Sequence, residues 1–348
     1  MGANPKARAS SCGVCGRRSG FQTIVWAALL VLLLGGTPAA AKKGGLSVGL
    51  LVSVQGLGDQ SYNDMTYAGL VRARQAFGIT ISLEHTRPEE AAIEAAMRRL
   101  IDSGVDVVVA NGFYFSSAVN VYARRFPERY FIIQDAVIRG VPNVAAVTYA
   151  VEEGSFLAGA LAAMMTHTGA VGFIGGVDIP IMQEFRRGYL QGALYINPKL
   201  PVWSDFLSKG SDLSGFNNPA AAFDLAMTLY NSGVDIIYAA AGVSGNGVIR
   251  AARKSDRFAI GVDSDQDHLA KGHVLTSMMK RLDETTFQEI DRIVKGRFQA
   301  GVKNYGLKAG GIGLTKMKYT RHLISDAVRA RLDVRKKEII AGKIRVAR

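Results

Sequence analysis

The residues best suited to chemistry in this chain begin in the stretch GLGDQSYND, Gly56 to Asp64, which follows an apolar run, LSVGLLVSV, and precedes a helical pattern, MTYAGLVRARQAF. A plain strand-to-helix junction needs only turn residues. This one also holds Asp59, Ser61, Tyr62 and Asn63, a set able to grip a small molecule through one aromatic face and several hydrogen bonds. Other apolar runs end similarly: Asn111, Gly112 and Phe113 follow VDVVVA, and Asp135 follows RYFIIQ. In the second half, Phe216 and Asn217 follow VWSDFLSKGSDLS, Gly242, Ser244 and Gly245 follow IIYAAA, Asp263 follows FAIGV and Lys280 follows VLTSMM. Taken singly, each has a bland role, since a turn Asp usually caps a helix and a lone Phe usually fills a core. Jointly they bring polar and aromatic groups to the ends of strands in both halves.

The elements that must position them are legible from periodicity. Short β-rich runs (SVGLLVSV, ITISLEH, VDVVVAN, RYFIIQD, VAAVTYA, AVGFIGG, VWSDFL, VDIIYAA, RFAIGVDS) alternate with amphipathic segments such as EEAAIEAAMRRLIDSG and NPAAAFDLAMTLYNSG. Near-continuous Val/Ile runs joined by such helices predict parallel strands covered on both faces, an α/β fold. MRRLIDSGVDVVVANGF is echoed by MTLYNSGVDIIYAAAG, with Gly104 and Gly233 placed to stop their helices in the left-handed conformation. Five strands, one helix and four more strands favour two similar lobes. Ligands of open α/β sheets sit beyond the carboxyl ends of the strands, where the polar and aromatic residues fall.

The N-terminal residues read as a leader. Arg17 and Arg18 precede an apolar run from Phe21 to Leu34, followed by small residues ending at Ala41. This pattern predicts a signal peptide cleaved after Ala41 and export to the periplasm. The run is short for a membrane span of about 20 residues. The arginine pair hints at twin-arginine export, although Phe21 stands one residue late for it. Cys12 and Cys15 lie upstream of the run and would leave with it; two thiols alone do not close a zinc site. The remaining residues suffice for two domains. The leader contains four of the 42 basic residues and none of the 29 acidic ones, so residues 42–348 carry +9. Much of that charge lies between Lys316 and Arg348, which reads as a solvated helix face and tail. No aromatic interleaving or reading helix supports a nucleic-acid surface there.

The motif GDQSYN resembles the G-D-x-S-[FY]-N signature of the basic membrane protein (BMP) family, the substrate-binding components of bacterial ABC transporters for purine nucleosides. The likeness continues through EEGSFLAGALAA, VGFIGGVDIP, SGFNNPA, IIYAAAGVSGNGV, AIGVDSDQ, TSMMKRLD and AGKIRV. It implies a type I periplasmic binding protein fold, two Rossmann-like lobes joined by a hinge and closing on a nucleoside. The implied lobes are residues 44–148 with 278–303, and 149–277 with 304–348. Carried over by position, Tyr62 and Phe216 would stack on the two faces of a purine, and Asn63 and Asp135 would bond its edge. Asp263 and Lys280 would hold the ribose, the glycine loop Gly242 to Gly247 would line the sugar side, and Phe113 would form a wall. Asp59 and Ser61 belong to the same site. The family role implies an inner-membrane ABC permease as partner, a monomeric receptor, no cofactor, no nucleic acid and no catalysis. The sequence departs from the family at Tyr62, where Phe is commoner, at Asn218, where Asp is frequent, and in lacking the lipoprotein cysteine.

The chemistry agrees with this resemblance. A purine is flat and polar only at its rim, so aromatic faces plus a few rim partners suit it, and neighbouring ribose hydroxyls suit a carboxylate. Other readings use the same residues. GVDSDQDH alternates acids as a calcium loop does, but His268 stands where the turn glycine belongs and Val274 where the closing Glu belongs. Gly242, Gly245 and Gly247 give GxxGxG rather than the dinucleotide GxGxxG. A nucleoside hydrolase would need a similar pocket, and a receptor for a free base or other flat heterocycle would use the rings and Asp135 without the sugar groups. A sugar-responsive repressor would need an N-terminal helix-turn-helix, where this chain has its leader.

Overall fold

Two six-stranded sheets, each predominantly or wholly parallel, organise residues Lys42–Arg348, which form one compact unit in the computed structural model. The structure describes residue 1, residues 45–52 and residues 55–348. The predicted signal peptide, its arginine pair and both cysteines lie outside the described residues.

The first half runs β1 (Ser47–Val52), α1 (Tyr62–Phe77), β2 (Thr80–His85), α2 (Glu90–Asp102), β3 (Val107–Asn111), α3 (Ser116–Arg125), β4 (Tyr130–Gln134) and β5 (Val144–Tyr149). The second runs α4 (Val151–Met165), β6 (Val171–Asp178), α5 (Pro180–Ile196), β7 (Val202–Lys209), α6 (Pro219–Asn231), β8 (Ile236–Ala240), α7 (Gly245–Lys254), β9 (Phe258–Asp263) and β10 (Val274–Lys280). The chain then returns through α8 (Leu282–Val294) and β11 (Gly301–Tyr305), and ends with β12 (Ile312–Leu314) and α9 (Asp326–Ile340). Strand orders are β11-β5-β4-β3-β1-β2 and β12-β10-β9-β8-β6-β7. Among the described residues, only β12 is antiparallel to its neighbour. The chain therefore changes sheet after Tyr149, after Lys280 and after Tyr305, three adjacent crossings that make a hinge.

The nine apolar runs named from sequence all form strands. Three more, β10, β11 and β12, complete the sheets; β12 has only three residues, and β11, GVKNY, lacks the Val/Ile density that marks a strand in sequence.

Both faces of the central strands of each sheet are buried, which explains their near-continuous apolar runs. Along β1, Val48, Leu50 and Val52 face the side containing Leu70 and Ala73 of α1, while Leu51 faces Met97 and Leu100 of α2. In the second sheet, Phe173 and Tyr238 pack towards α4 and α5, whereas Ile174, Ile237 and Ala239 pack towards α6 and α7. Helices α4 and α5 approach at glycines. A β-carbon on Gly159 would lie 2.0 Å from the Tyr189 carbonyl oxygen, and one on Gly192 would lie 1.9 Å from that of Phe156. Small residues thus let the two backbones touch. Among the described residues, no helix is long and apolar enough to cross a membrane.

Candidate functional site

The carboxyl ends of the strands from both sheets enclose one cleft of about 900 Å³, including its open mouth. From the first half it is lined by Asp59, Tyr62, Asn63, Phe113, Tyr114 and Asp135, among others, and from the second by Phe185, Phe216, Gly242, Asp263 and Lys280. Ten of the residues singled out in sequence therefore meet in one cavity: Asp59, Tyr62, Asn63, Gly112, Phe113, Asp135, Phe216, Gly242, Asp263 and Lys280.

Ser61 and Gly245 do not line it. Ser61 is fully buried beneath the cleft and donates through Oγ to Asp263 Oδ2 at 2.9 Å, linking the two halves. Gly245 starts α7 and packs over Ala239. Further along that loop, a β-carbon on Gly247 would lie 2.0 Å from the Pro219 carbonyl, so this glycine serves the contact between α6 and α7. Only the beginning of the glycine loop, Gly242 and Val243, reaches the cavity.

The opening stretch is held by its own acids. Asp59 accepts backbone N–H groups from Ser61 (3.0 Å), Asn63 (2.7 Å) and Asp64 (3.1 Å), satisfying donors that the start of α1 would otherwise leave unpaired. Asp64 accepts from the Gly58 and Gln60 amides. Asn63 Nδ2 donates to the Gly56 carbonyl at 3.0 Å and its Oδ1 accepts from Asn111 Nδ2 at 2.8 Å, so both ends of this side chain have partners within its own half. Burial pushes the Asp59 carboxyl up to about 6, partly opposed by those three amides. Across the cleft, the Gln60 carbonyl accepts from Ser264 Oγ and from Gln266 Nε2. The first-half loop is thereby clasped by the loop after β9.

The aromatic walls have equally local causes. Phe216 ends a 3₁₀ turn, Leu213–Phe216, that Asp212 caps through the Ser214 amide. Its ring lies over Gly176, where a β-carbon would stand 2.4 Å from the ring, so the second glycine of the GG pair in VGFIGGVD leaves room for it. Phe113 and Tyr114 lie on a matching 3₁₀ turn after β3, with rings edge to face at 5.4 Å.

Lys280 sits at the hinge end of β10, almost wholly buried. Its Nζ donates to Asp135 Oδ2 and lies 4.8, 5.0 and 5.9 Å from the ring centroids of Tyr62, Tyr149 and Phe185. Paired with Asp263 in the expectation from sequence, it instead bonds Asp135, while its charge still reaches Asp263. Burial raises the Asp263 carboxyl, and Lys280 and the Ser61 hydroxyl pull it back down. The Tyr62 phenol is pushed well above its ordinary value by burial and then by Asp135. The Tyr62 hydroxyl and Asp135 Oδ1 are buried and have no hydrogen-bond partner among the described residues.

The acids of GVDSDQDH take separate directions. Asp263 meets Ser61, Asp265 accepts its neighbour's amide, and Asp267 accepts from Ser277 and Thr315. They do not converge as a calcium loop requires.

Sequence reasoning missed Ile181, Met182 and Phe185, which line the cleft from the first turns of α5, and Tyr114, Gln55, Thr86 and Pro88 from the first half. A signal existed for the first three: VGFIGGVDIP precedes them, and its strand end belonged with the others as a candidate wall. Their apolar character hid them, since such residues at a helix start read as core.

Comparison with known proteins bears on the chain as a whole. Residues 46–347 match the family described as ABC transporter substrate-binding protein PnrA-like. The chain is 31% identical to basic membrane protein A of Borreliella afzelii over 265 residues, covering 74% of this chain and 79% of that protein. It is 28% identical over 325 residues to the ABC transporter nucleoside-binding protein BmpA of Lactococcus lactis subsp. cremoris, covering 86% and 89%. A solved ABC transporter solute-binding protein from Aeropyrum pernix K1 superposes with a TM-score of 0.78 at 26% identity, covering 86% of this chain and 92% of that one. On this evidence the chain belongs to the Bmp family of ABC transporter substrate-binding proteins.

Proposed function

We propose that this substrate-binding protein receives a purine nucleoside in the periplasm and delivers it to an inner-membrane ABC permease, acting as a monomer without chemistry of its own. The observation that carries the reading is that Tyr62 and Phe216, from opposite lobes, line one cleft together with Asp263 and Lys280. Two aromatic walls suit a planar heterocycle, and a buried carboxylate suits the paired hydroxyls of a pentose. The name of the lactococcal relative, a nucleoside-binding protein, supports the ligand class. Asp135 serves the base edge, Asp59, Ser61 and Asn63 hold the first jaw, Phe113 walls the base, and Gly242 lines the sugar side. Gly245 supports that loop from beneath.

Closing the lobes brings the loop of Gln60 and Ser61 onto Ser264, Gln266 and Asp263, so a ligand that spans both lobes stabilises the closed form. The small molecule released on denaturing purified protein identifies the class directly; a purine nucleoside is expected. Incubation with inosine or adenosine should liberate no free base, and release of base would favour the hydrolase reading.

A further inference from the structure

Ser61 opens α1 but does not cap it. A serine at this position ordinarily accepts an amide from the second or third residue of its helix. Here the amides of Asn63 and Asp64 go to Asp59 instead, at 2.7 and 3.1 Å, and the Ser61 side chain makes no cap bond. Asp59 does the capping and releases the Ser61 hydroxyl for another use. The backbone of Ser61 stays fixed in the first half, its amide donating to Asp59 at 3.0 Å and its carbonyl accepting from the Met65 amide at 3.0 Å.

The freed hydroxyl crosses to the second half. It donates to Asp263 Oδ2 at 2.9 Å, with the Val262 carbonyl farther off at 3.4 Å, and Ser61 is fully buried outside the cleft lining. A hydroxyl has one proton to donate. That proton goes to Asp263 and not to a ligand. Neighbouring contacts fix the register of this meeting: the Gln60 carbonyl accepts from Ser264 Oγ and from Gln266 Nε2, while Gln266 Oε1 accepts the Val262 amide at 2.9 Å. Two consecutive residues of the first half thereby grip the end of β9 on both sides of Asp263. Asp263 itself lines the cleft, and a carboxylate has acceptor sites enough for Ser61 and a ligand hydroxyl together.

We infer that Ser61 is a positioning residue for sugar recognition: it sets the Asp263 carboxylate only when the two halves meet, so that the grip on a ligand's paired hydroxyls is assembled by closure. The inference rests on the nucleoside reading above. A ligand with those hydroxyls meets a carboxylate already oriented, which lowers the ordering cost of binding. A ligand without them gains from closure but not from this orientation.

The test is calorimetric titration with inosine and with dideoxyinosine, which keeps the base and the sugar ring but lacks the paired hydroxyls. The quantity read is the ratio of the two affinities. Ser61→Ala should lower that ratio about tenfold. Ser61→Gly, a residue well tolerated at a helix start, should do the same. In an Asp263→Ala background, adding Ser61→Ala should change the ratio by less than about twofold, because Ser61 acts through that carboxylate. Equal weakening of both ligands by the Ser61 variants would overturn the inference and leave a plain contact between the halves. So would a further fall in the ratio once Asp263 is gone, or the absence of folded protein in both single variants, which would make the hydroxyl a requirement of the fold. If Asp263→Ala alone leaves the ratio intact, the sugar role of Asp263 itself fails, and that of Ser61 with it.

Discussion

Asp135 and Asp263 stand at the same place in the two lobes. Each closes the third strand of its sheet, β4 and β9, and each has a left-handed backbone, with φ of 58° and 64°. Non-glycine residues adopt that region uncommonly, Asp and Asn being the usual exceptions. The turn directs both carboxylates into the cleft from opposite sides. Lys280 lies between them, bonded to one and lowering the pKa of the other. A duplicated strand end has thus become two distinct acids, one neutralised by an amine and one held by the Ser61 hydroxyl.

Under the proposed function that difference gives the acids different ligand groups. Asp263→Ala is expected to weaken nucleoside binding by about 1.5–3 kcal/mol, the range for a charge-assisted hydrogen bond, and to leave free-base binding nearly unchanged. Calorimetry with a nucleoside and its base measures both. An equal loss for the two ligands would remove the sugar role.

Phe216 is expected to act on both ligands alike. Phe216→Ala should cost about 0.5–1.5 kcal/mol of stacking, and more where apolar contact is also lost, for nucleoside and base equally. Gly176→Ala provides a companion test, because its β-carbon would stand 2.4 Å from the Phe216 ring. Displacing the ring should lower affinity while Phe216 itself remains. Normal affinity in both variants would show that the ring belongs to the core and not to the site.

The Lys280–Asp135 pair is almost fully buried, with side chains 3% and 6% exposed. Lys280→Met would leave a buried carboxylate without its counter-ion, and breaking such a pair typically costs about 3–5 kcal/mol. Combining it with Asp135→Asn should recover a large part of that loss. Urea unfolding of the two single variants and the double variant checks the coupling. Additive effects would show that the pair is not an energetic unit.

Asp59 gives a pH signature. Its folded value is raised to about 6 from 3.8, so the folded state binds the proton more tightly than the unfolded chain. The resulting stabilisation is present below about pH 4 and is lost as pH rises to about 6, amounting to roughly 3 kcal/mol over the window. Asp59→Asn keeps an acceptor oxygen and removes the titration. The difference in unfolding free energy between wild type and variant should therefore shift in favour of the variant from pH 4 to pH 7. A constant difference would place the Asp59 carboxyl at its ordinary value.

The sheets were readable because strands buried on both faces leave unbroken Val/Ile runs, and the helix-SGVD-strand echo marks equivalent units in the two lobes, α2 to β3 and α6 to β8. Strands β11 and β12 were less visible, being short hinge-side additions. In the cleft, polar residues at strand ends were recognisable because such groups have little structural reason to gather there. Phe185 and Met182 were not, because an apolar cleft wall has the same composition as a core. Nor does sequence reveal partner choice: that Lys280 bonds Asp135, and that Ser61 passes beneath the cleft to Asp263, follows from how the three hinge crossings set one lobe against the other.

Calorimetric titration of the ligand-free protein with inosine, hypoxanthine and ribose tests the central claim most directly. The nucleoside should bind at least about tenfold more tightly than the base, a difference of about 1.4 kcal/mol, and ribose alone should bind weakly. Equal affinity for nucleoside and base, or no binding of any purine nucleoside, would contradict a site in which aromatic walls hold the ring and Asp263 holds the sugar.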